Sequence, residues 1–314
     1  MFSMGNNKDL PPLVTIVLAA YNGEPYLPQQ LNSLFLQTYS NIEIVVLDDC
    51  STDRTPEICA RFAAMHSNMK VYQNEANLGY IKNFEKAIGL ANGQYIALCD
   101  QDDIWHPDKI QTLMQYVTGA SIVYCDSELI DEEGRSLNKN ISDIKNLRDY
   151  NSPIPFIIAN CALGHTMIME KRFALSAMPF PSEFPHDWWL AFFASFNNGL
   201  KYIDKPLVQY RQHSLNIVGA VKTKATIKKK RKEDEVERTR ARIRIFYERS
   251  TSSLAVKERA ILAEIKSCYQ KFSLINNFKR MLLFFRYPLE LLQIKKRNAF
   301  RKWLFCFKMF VKVI

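Results

Sequence analysis

Three carboxylates within four residues are the feature of this sequence best suited to chemistry. Ile96–Cys99 is an apolar run of strand length, and Asp100, Asp102 and Asp103 follow it directly. Carboxylates this close repel one another and raise one another's pKa values, so the cluster needs a counter-charge. Oxygen ligands at the end of a buried strand suit Mg²⁺ or Mn²⁺, which bridge a few carboxylates to substrate phosphates. The spacing therefore indicates a divalent-cation site, with a solvated acidic turn as the alternative.

A second candidate for catalysis is Asp187, within His186-Asp187-Trp188-Trp189. It opens an apolar stretch that predicts a helix to about Phe196. An aspartate in the first turn of a helix is favoured by capping alone, which is the structural interpretation. The functional interpretation is a general base that deprotonates an acceptor hydroxyl. The two tryptophans would raise its pKa and give a sugar a surface to stack on.

An alternation of strands and helices must position these groups. We expect strands at 14–20, 42–47, 70–73 and 96–99 and helices at 26–37, 55–65 and 81–91. This order predicts an α/β fold with a doubly wound, mostly parallel sheet. Ligands bind outside the carboxyl ends of strands in such sheets, where Tyr21, Asp48, Asp49 and the acidic cluster lie. No glycine-rich phosphate loop follows a strand, so carboxylates and a cation would have to hold a phosphate group.

The next hundred residues are expected to extend the sheet less regularly. Residues 122–126 predict another strand, and 128–150 are polar and predict an irregular excursion. Residues 201–209 predict a strand that closes the edge of the sheet.

Charge divides the chain into two parts. The net charge is +10, but residues 1–220 hold 16 Lys and Arg against 24 Asp and Glu, a net of −8, whereas residues 221–314 hold 26 against 8, a net of +18. An acidic body with a basic tail indicates a polyanionic partner, either nucleic acid or anionic lipid.

The tail is also aromatic. Residues 278–286 and 303–312 interleave Phe, Trp and Leu with Lys and Arg. Such segments predict helices that lie in a membrane interface, and the alternative is a helical cap packed on the catalytic domain. No recognisable nucleic-acid module accompanies them, so no nucleic acid is expected as a partner.

Cysteine usage and hydropathy indicate the compartment. The seven cysteines form no C-x-x-C pair, which predicts reduced core thiols and no zinc site. Residues 1–12 lack the apolar segment of a secretory signal, and no apolar run is long enough to span a bilayer. We therefore expect a cytoplasmic protein, and the aromatic, basic tail would attach it peripherally to a membrane.

Four ordered segments together resemble the nucleotide-sugar half of family 2 glycosyltransferases with the GT-A fold. They are Ala20-Tyr21-Asn22, Leu47–Asp53, Asn77-Leu78-Gly79 and Asp100–Trp105. The resemblance extends to about residues 13–219 through three further segments, Pro107–Ile110, His186–Trp189 and Tyr210–Ser214. These later segments look most like the bacterial rhamnosyltransferase-like enzymes that build surface polysaccharides such as O-antigen and capsule.

The resemblance implies a GT-A catalytic domain over residues 1–220, with a nucleotide-sugar half at about 13–110 and an acceptor half at about 120–220. A basic, mainly helical extension would follow at 221–314. It further implies an inverting enzyme that depends on Mn²⁺ or Mg²⁺. That enzyme would move a sugar such as rhamnose from a dTDP-, UDP- or GDP-sugar donor to a lipid-linked saccharide acceptor.

The resemblance also implies roles for individual residues. The donor site would comprise Ala20, Tyr21, Asn22, Asp48, Asp49, Asn77, Gly79, Asp100 and Arg211. Asp102 would be the main cation ligand, supported by Asp103 and His213. Asp187 would be the catalytic base, and the acceptor would contact His186, Trp188, Trp189 and Gly164.

Two alternatives use the same residues differently. A sugar nucleotidyltransferase would also need clustered carboxylates and a cation, but no base at Asp187. A non-catalytic nucleotide- or RNA-binding module with a basic tail would bind without metal, with a steep dependence on salt and no turnover.

Overall fold

The computed structural model describes residues 10–214, 232–250, 254–271 and 273–311. The start of the predicted basic extension, at 221–231, lies outside the described residues. The strands are β1 Val14–Ala20, β2 Ile42–Asp48, β3 Met69–Gln73, β4 Tyr95–Cys99, β5 Ile104–Trp105, β6 Ile122–Ile130, β7 Ser136–Asn140, β8 Met167–Glu170 and β9 Leu200–Arg211. The helices are α1 Leu27–Phe35, α2 Thr55–Met65, α3 Tyr80–Leu90, α4 Lys109–Met114, α5 Ile141–Ile144, α6 Lys171–Ser176, α7 His186–Ser195, α8 Lys232–Ser250, α9 Val256–Gln270, α10 Leu274–Arg286, α11 Pro288–Leu291 and α12 Ala299–Val311.

All strands belong to one sheet in the order β3-β2-β1-β4-β8-β6-β9-β5, with β7 paired to β6. β3, β2, β1 and β4 are mutually parallel, whereas β8 joins β4 and β6 antiparallel. β1 lies between β2 and β4, and the three strands run in the same direction. Their carboxyl ends therefore lie at one edge of the sheet, where Ala20 pairs with Asp48. This is the crevice in which parallel α/β sheets bind ligands.

The first strands form because they are buried on both faces. Ile16 and Ile44 pack with the helices on one side, and Val17, Leu47 and Phe84 pack in a second core on the other. Continuous β-branched runs suit such a position, so the predicted elements of residues 14–99 agree with the structure within a few residues.

The region after residue 122 departs from the expectation. β6 continues to Ile130 and forms a hairpin with β7, so the irregular excursion predicted from residue 128 was wrong at its start. Leu129 and Ile130 are buried, and Leu129 packs against Ile141 and Tyr210, which draws the polar segment into the sheet. β9 is not an edge strand, because β5 pairs with its far side.

The C-terminal helices pack on the sheet domain. Phe246 of α8 stacks on Phe192 of α7 at 3.7 Å between ring centroids, within the same core as β-strand residues. The Asn146 N–H donates to the Ile294 carbonyl at 2.9 Å. The packed cap that the sequence left as an alternative is therefore present. Among the described residues, none of the helices is both long and apolar enough to cross a membrane.

Candidate active site

The carboxylates after β2 are buried and hold the loops around the crevice. The two oxygens of Asp49 accept the N–H groups of Leu78 and Gly79, each at 2.8 Å. The Asn77 side chain donates to the Asp49 carbonyl at 3.1 Å, and Asp48 accepts the N–H three residues further on at 3.0 Å. The loop before α3 is thus tied to the end of β2. Direct contact of these residues with a base stays a prediction.

The loop after β1 forms the opposite wall. The Tyr21 N–H donates to the Gln101 side-chain oxygen at 2.8 Å, and the Gln101 amide donates to the Tyr21 carbonyl at 3.0 Å. Asn22 has a left-handed backbone, with φ 48°, and its side chain accepts an N–H from the loop after β2 at 2.9 Å. Ala20 is buried, and its carbonyl accepts the Asp49 N–H at 2.8 Å. The Tyr21 ring is 46% exposed and available for stacking.

Asp100 and Asp103 meet at the imidazole of His165. Its Nδ1 lies 3.2 Å from a carboxylate oxygen of each, and the Arg211 N–H donates to Asp103 at 3.1 Å. Burial raises the pKa of Asp103 to about 8, against the opposing effect of His165. Burial alone would lower the pKa of His165, but Asp103 and Asp100 raise it above its usual value. The cluster therefore carries its own counter-charge.

Asp102 pairs with His213 instead. His213 Nε2 lies 2.8 Å from Asp102 Oδ2, and both side chains are largely but not completely buried. A carboxylate oxygen and an imidazole nitrogen at this separation fit the ligand chemistry of Mn²⁺ or Mg²⁺ with a substrate diphosphate. Of the predicted cation ligands, the structure thus brings Asp102 and His213 together and turns Asp103 towards His165. A second group with suitable ligand atoms, within 4.8 Å of one another, is Asp100, Asp103 and His165.

Arg211 is buried in the protein interior. Its Nε donates to the Asp102 carbonyl at 2.9 Å, and its Nη2 donates to Gln29 at 2.6 Å. Its Nη1 donates to the Glu132 carbonyl at 2.8 Å. Every guanidinium nitrogen thus has an internal partner, so this side chain positions Asp102 in the present conformation. Contact with a diphosphate stays a prediction.

Asp187 lies in the first turn of α7. One carboxylate oxygen accepts the Asn160 amide at 3.1 Å, and the other accepts the Trp188 N–H at 2.6 Å. Burial raises the pKa of Asp187 above its usual value, although nearby basic groups oppose this. A carboxylate held by an amide and with a raised pKa suits proton abstraction.

The predicted acceptor residues divide between the crevice and the core. His186 is buried and stacks on Phe84 at 4.0 Å between centroids. Gly164 lies against it, because a Cβ there would be 2.9 Å from His186 Nε2. Trp188 is partly buried against the core, and its ring N–H donates to the Phe156 carbonyl at 2.6 Å. Trp189 is fully buried, and its ring nitrogen donates to a backbone carbonyl at 2.7 Å, so the predicted sugar contact is corrected to a core role.

The sequence analysis gave no specific role to three residues of the site: His165, Asn160 and Lys109. The Lys109 ammonium donates to the His165 carbonyl at 2.6 Å and lies 2.9 Å from the centroid of the Trp105 ring. Burial lowers the pKa of Lys109 to about 7. A signal was present for Lys109, which lies in the segment Pro107–Ile110 that resembles the family, but periodicity does not show which side chain points inward.

Comparison with known proteins decides the family. The model of the family described as Glycosyl transferase family 2 matches residues 15–173. The chain belongs to glycosyltransferase family 2. The matched span includes the acidic cluster and His165 but ends before Asp187 and His213, so the roles of those two residues stay predictions.

Two curated relatives extend further. The dTDP-rhamnosyl transferase RfbG of Shigella flexneri is 33% identical over 217 residues, which are 65% of this chain and 74% of that protein. The UDP-Glc:alpha-D-GlcNAc-diphosphoundecaprenol beta-1,3-glucosyltransferase WfgD of Escherichia coli is 30% identical over 180 residues, 57% of this chain and 68% of that protein. The matched span is 33% of an uncharacterized glycosyltransferase of Haemophilus influenzae and 14% of the protein y4gI of Sinorhizobium fredii, so the chain spans only a small part of these two relatives.

Solved structures match the fold over nearly the whole chain. S. aureus TarS 1–349 in complex with UDP-GlcNAc has a TM-score of 0.61 and 20% sequence identity, covering 95% of this chain and 80% of that chain. The predicted GT-A fold with a helical C-terminal region is confirmed. Family membership also confirms that the chain is a glycosyltransferase. It supports neither of the two alternatives, the sugar nucleotidyltransferase and the non-catalytic binding module.

Proposed function

We propose that this protein is an inverting, metal-dependent glycosyltransferase that moves a sugar from a nucleotide-sugar donor to a hydroxyl of a lipid-linked saccharide in surface-polysaccharide synthesis. One observation carries the proposal: the acidic cluster and Asp187 both approach the short segment Gly164-His165. His165 contacts Asp100, and its neighbour Gly164 lies against His186 and Asp187.

In this mechanism Asp102 and His213 would hold the cation, and Asp100 would contact the ribose of the donor. A bound Mn²⁺ or Mg²⁺ supplies Lewis-acid stabilisation of the charge that develops on the departing nucleoside diphosphate. Asp187 removes the proton from the attacking hydroxyl while Asn160 fixes the orientation of its carboxylate. Attack from the face opposite the leaving group inverts the anomeric configuration.

The relatives guide the choice of substrates. RfbG is described as a dTDP-rhamnosyl transferase and WfgD as acting on a diphosphoundecaprenol-linked sugar. We propose dTDP-rhamnose as the donor and a lipid-linked saccharide as the acceptor. Incubation of the full chain with dTDP-, UDP- and GDP-sugars and Mn²⁺, with measurement of released nucleotide, tests the donor. Release from none of them, with or without a lipid-linked acceptor, would refute the proposal.

We also propose that the enzyme attaches peripherally to the cytoplasmic face of the inner membrane through α10 and α12. The two helices pack on one another and leave large apolar side chains exposed, at Phe278, Leu282, Phe300, Trp303, Leu304, Phe307 and Val311. The same helices carry cations: Lys279, Arg286, Arg301, Lys302 and Lys308. An apolar surface interspersed with cations matches an anionic bilayer interface.

A further inference from the structure

Helix α8, which lies outside the family match, carries an arginine to the acceptor side of the crevice. The guanidinium carbon of Arg242 lies 5.4 Å from the centroid of the Trp188 ring and 5.9 Å from that of Phe184. Its Nε donates to the Glu183 carbonyl at 2.8 Å. These contacts fix the guanidinium beside the first turn of α7, which bears Asp187.

A second arginine lies one helical turn earlier. Arg238 and Arg242 are four residues apart, so they lie on the same face of α8. Arg238 is exposed and makes neither an ion pair nor a hydrogen bond with any residue that the structure describes. The face of α8 that meets the crevice therefore presents two guanidinium groups.

The third residue of this region is Tyr80. This residue opens α3, and its ring lies 5.9 Å from that of His186, edge to face. Burial raises the pKa of Tyr80 to about 12; Asp187 raises it further, whereas Arg242 and Arg238 lower it. The phenol thus lies within electrostatic range of both the proposed base and the two arginines.

We propose that Arg238 and Arg242 bind a phosphate group of the acceptor, with the Tyr80 hydroxyl as a further donor. This inference rests on the proposed function. Guanidinium groups match phosphate geometry and stay charged at any working pH. An anion here needs such counter-charge, because Asp187 is close.

The position of this phosphate subsite, Arg238, Arg242 and Tyr80, defines the acceptor more closely. Arg242 lies beside Trp188, and Asp187 is its neighbour in the chain. A phosphate at the arginines and a hydroxyl at Asp187 are therefore separated by a short saccharide.

Binding of geranyl diphosphate to the full-length protein, measured calorimetrically in excess EDTA, tests the subsite. Chelation removes the cation on which the donor diphosphate depends, so binding that survives reports the arginines. We expect Arg238→Ala to weaken binding about tenfold, the loss of a charge-assisted hydrogen bond. Arg242→Lys, which keeps the charge but loses the planar fork, should weaken it less. Geraniol should not bind, and inorganic pyrophosphate should compete.

Arg244→Ala is the matched control, because Arg244 is also exposed on α8 but lies two residues from Arg242 and so faces the other side. Equal binding by Arg238→Ala and wild type, or equal weakening by Arg244→Ala, overturns the subsite. An effect of Arg238→Ala on the donor KM in Mn²⁺, without an effect on geranyl diphosphate, assigns the arginines to the donor and overturns the acceptor assignment. If the protein binds geranyl diphosphate as expected but transfers sugar from no nucleotide sugar, the proposed function is wrong and the phosphate subsite is still supported.

Discussion

His213 Nε2 lies 2.8 Å from Asp102 Oδ2, although 111 residues separate them in the chain. The register of two short strands produces this contact. β5 follows the acidic cluster directly, and Ile104 pairs with Gln209 near the end of β9. That pairing sets the residues before β5 beside the residues after β9, so a carboxylate and an imidazole that are distant in the sequence converge.

If this pair holds the cation, replacing either member should remove metal-dependent turnover. We expect Asp102→Asn and His213→Ala each to lower kcat by on the order of a hundredfold or more, since a bound cation supplies several kcal/mol to the transition state. EDTA should have the same effect on the wild type, with recovery on adding Mn²⁺. The measurement is nucleotide release across a Mn²⁺ titration. His106→Ala, at an exposed histidine, is the control. Full wild-type activity in excess chelator would contradict metal dependence.

The variant Asp187→Asn distinguishes a role of Asp187 as the general base from a role in capping α7. The amide keeps the shape of the side chain but cannot accept a proton, so kcat should fall by roughly two to four orders of magnitude. The affinity for the nucleotide sugar should stay unchanged, because the cation and the donor loops are untouched. Single-turnover kinetics and donor titration check both. If donor binding collapses while bound donor still reacts, Asp187 belongs to the donor site.

The environment of Asp187 also predicts a pH dependence. Burial raises its pKa, with Asp100 acting in the same direction and His186 and Lys145 opposing. The base works only when deprotonated, so kcat should fall as pH decreases through the raised pKa, which lies above the value of an ordinary aspartate, about 3.9. The fall of kcat at low pH, measured at saturating substrate, reports the titration of Asp187. If the residual activity of Asp187→Asn shows the same fall at low pH, the titrating group is another residue.

The sequence predicted the donor half of the fold closely because that half is built from continuous apolar strands and amphipathic helices. β1, β2 and α2 fall within a residue of their expected bounds. The acceptor half was harder to predict. Leu129 and Ile130 belong to a strand only because Ile141 and Tyr210 cover them, which is a tertiary contact that no local pattern contains.

The candidate site could also be predicted only in part. The types and order of the carboxylates predicted a site at the strand ends, and the structure places Asp100 and Asp102 there. Their partners could not be assigned, because His165 and His213 approach from β8 and β9 and the spacing of residues does not encode which carboxylate each meets. Trp189 was placed on the acceptor surface, but the helical period turns it into the core.

Gly164 provides a test of how closely the acceptor wall is packed. A Cβ there would lie 2.9 Å from His186 Nε2, and the ring cannot retreat freely because it stacks on Phe84. Gly164→Ala should therefore displace the turn that carries Asp187 and lower kcat by roughly 10- to 100-fold. Gly89→Ala is the matched control, since nothing lies within 4 Å of the added methyl in α3. It should keep full activity and gain about 0.5–1 kcal/mol of stability. Equal activity of the two variants would show that the wall tolerates a methyl group.

The exposed face of α10 and α12 predicts binding to anionic vesicles. Deleting the extension is a poor test, because Ile261, Leu262 and Phe284 belong to the core and their loss would unfold the protein. Phe278→Glu and Trp303→Glu instead change side chains that are each 49% exposed. Each should reduce co-sedimentation with phosphatidylglycerol vesicles, because it removes an apolar contact and adds a like charge. Wild-type binding should also weaken with salt, since each nearby cation contributes about 1 kcal/mol within a Debye length.

Val256→Glu is the control for this surface, because Val256 is 83% exposed on α9, away from the two helices that form the face. It should bind vesicles as well as the wild type does, and all three variants should keep their donor hydrolysis and thermal midpoint. Wild-type protein that remains in the supernatant at low salt would show that the apolar face of α10 and α12 does not dock on a bilayer. Equal loss of binding in Val256→Glu would show that net charge alone, and no particular face, governs the association.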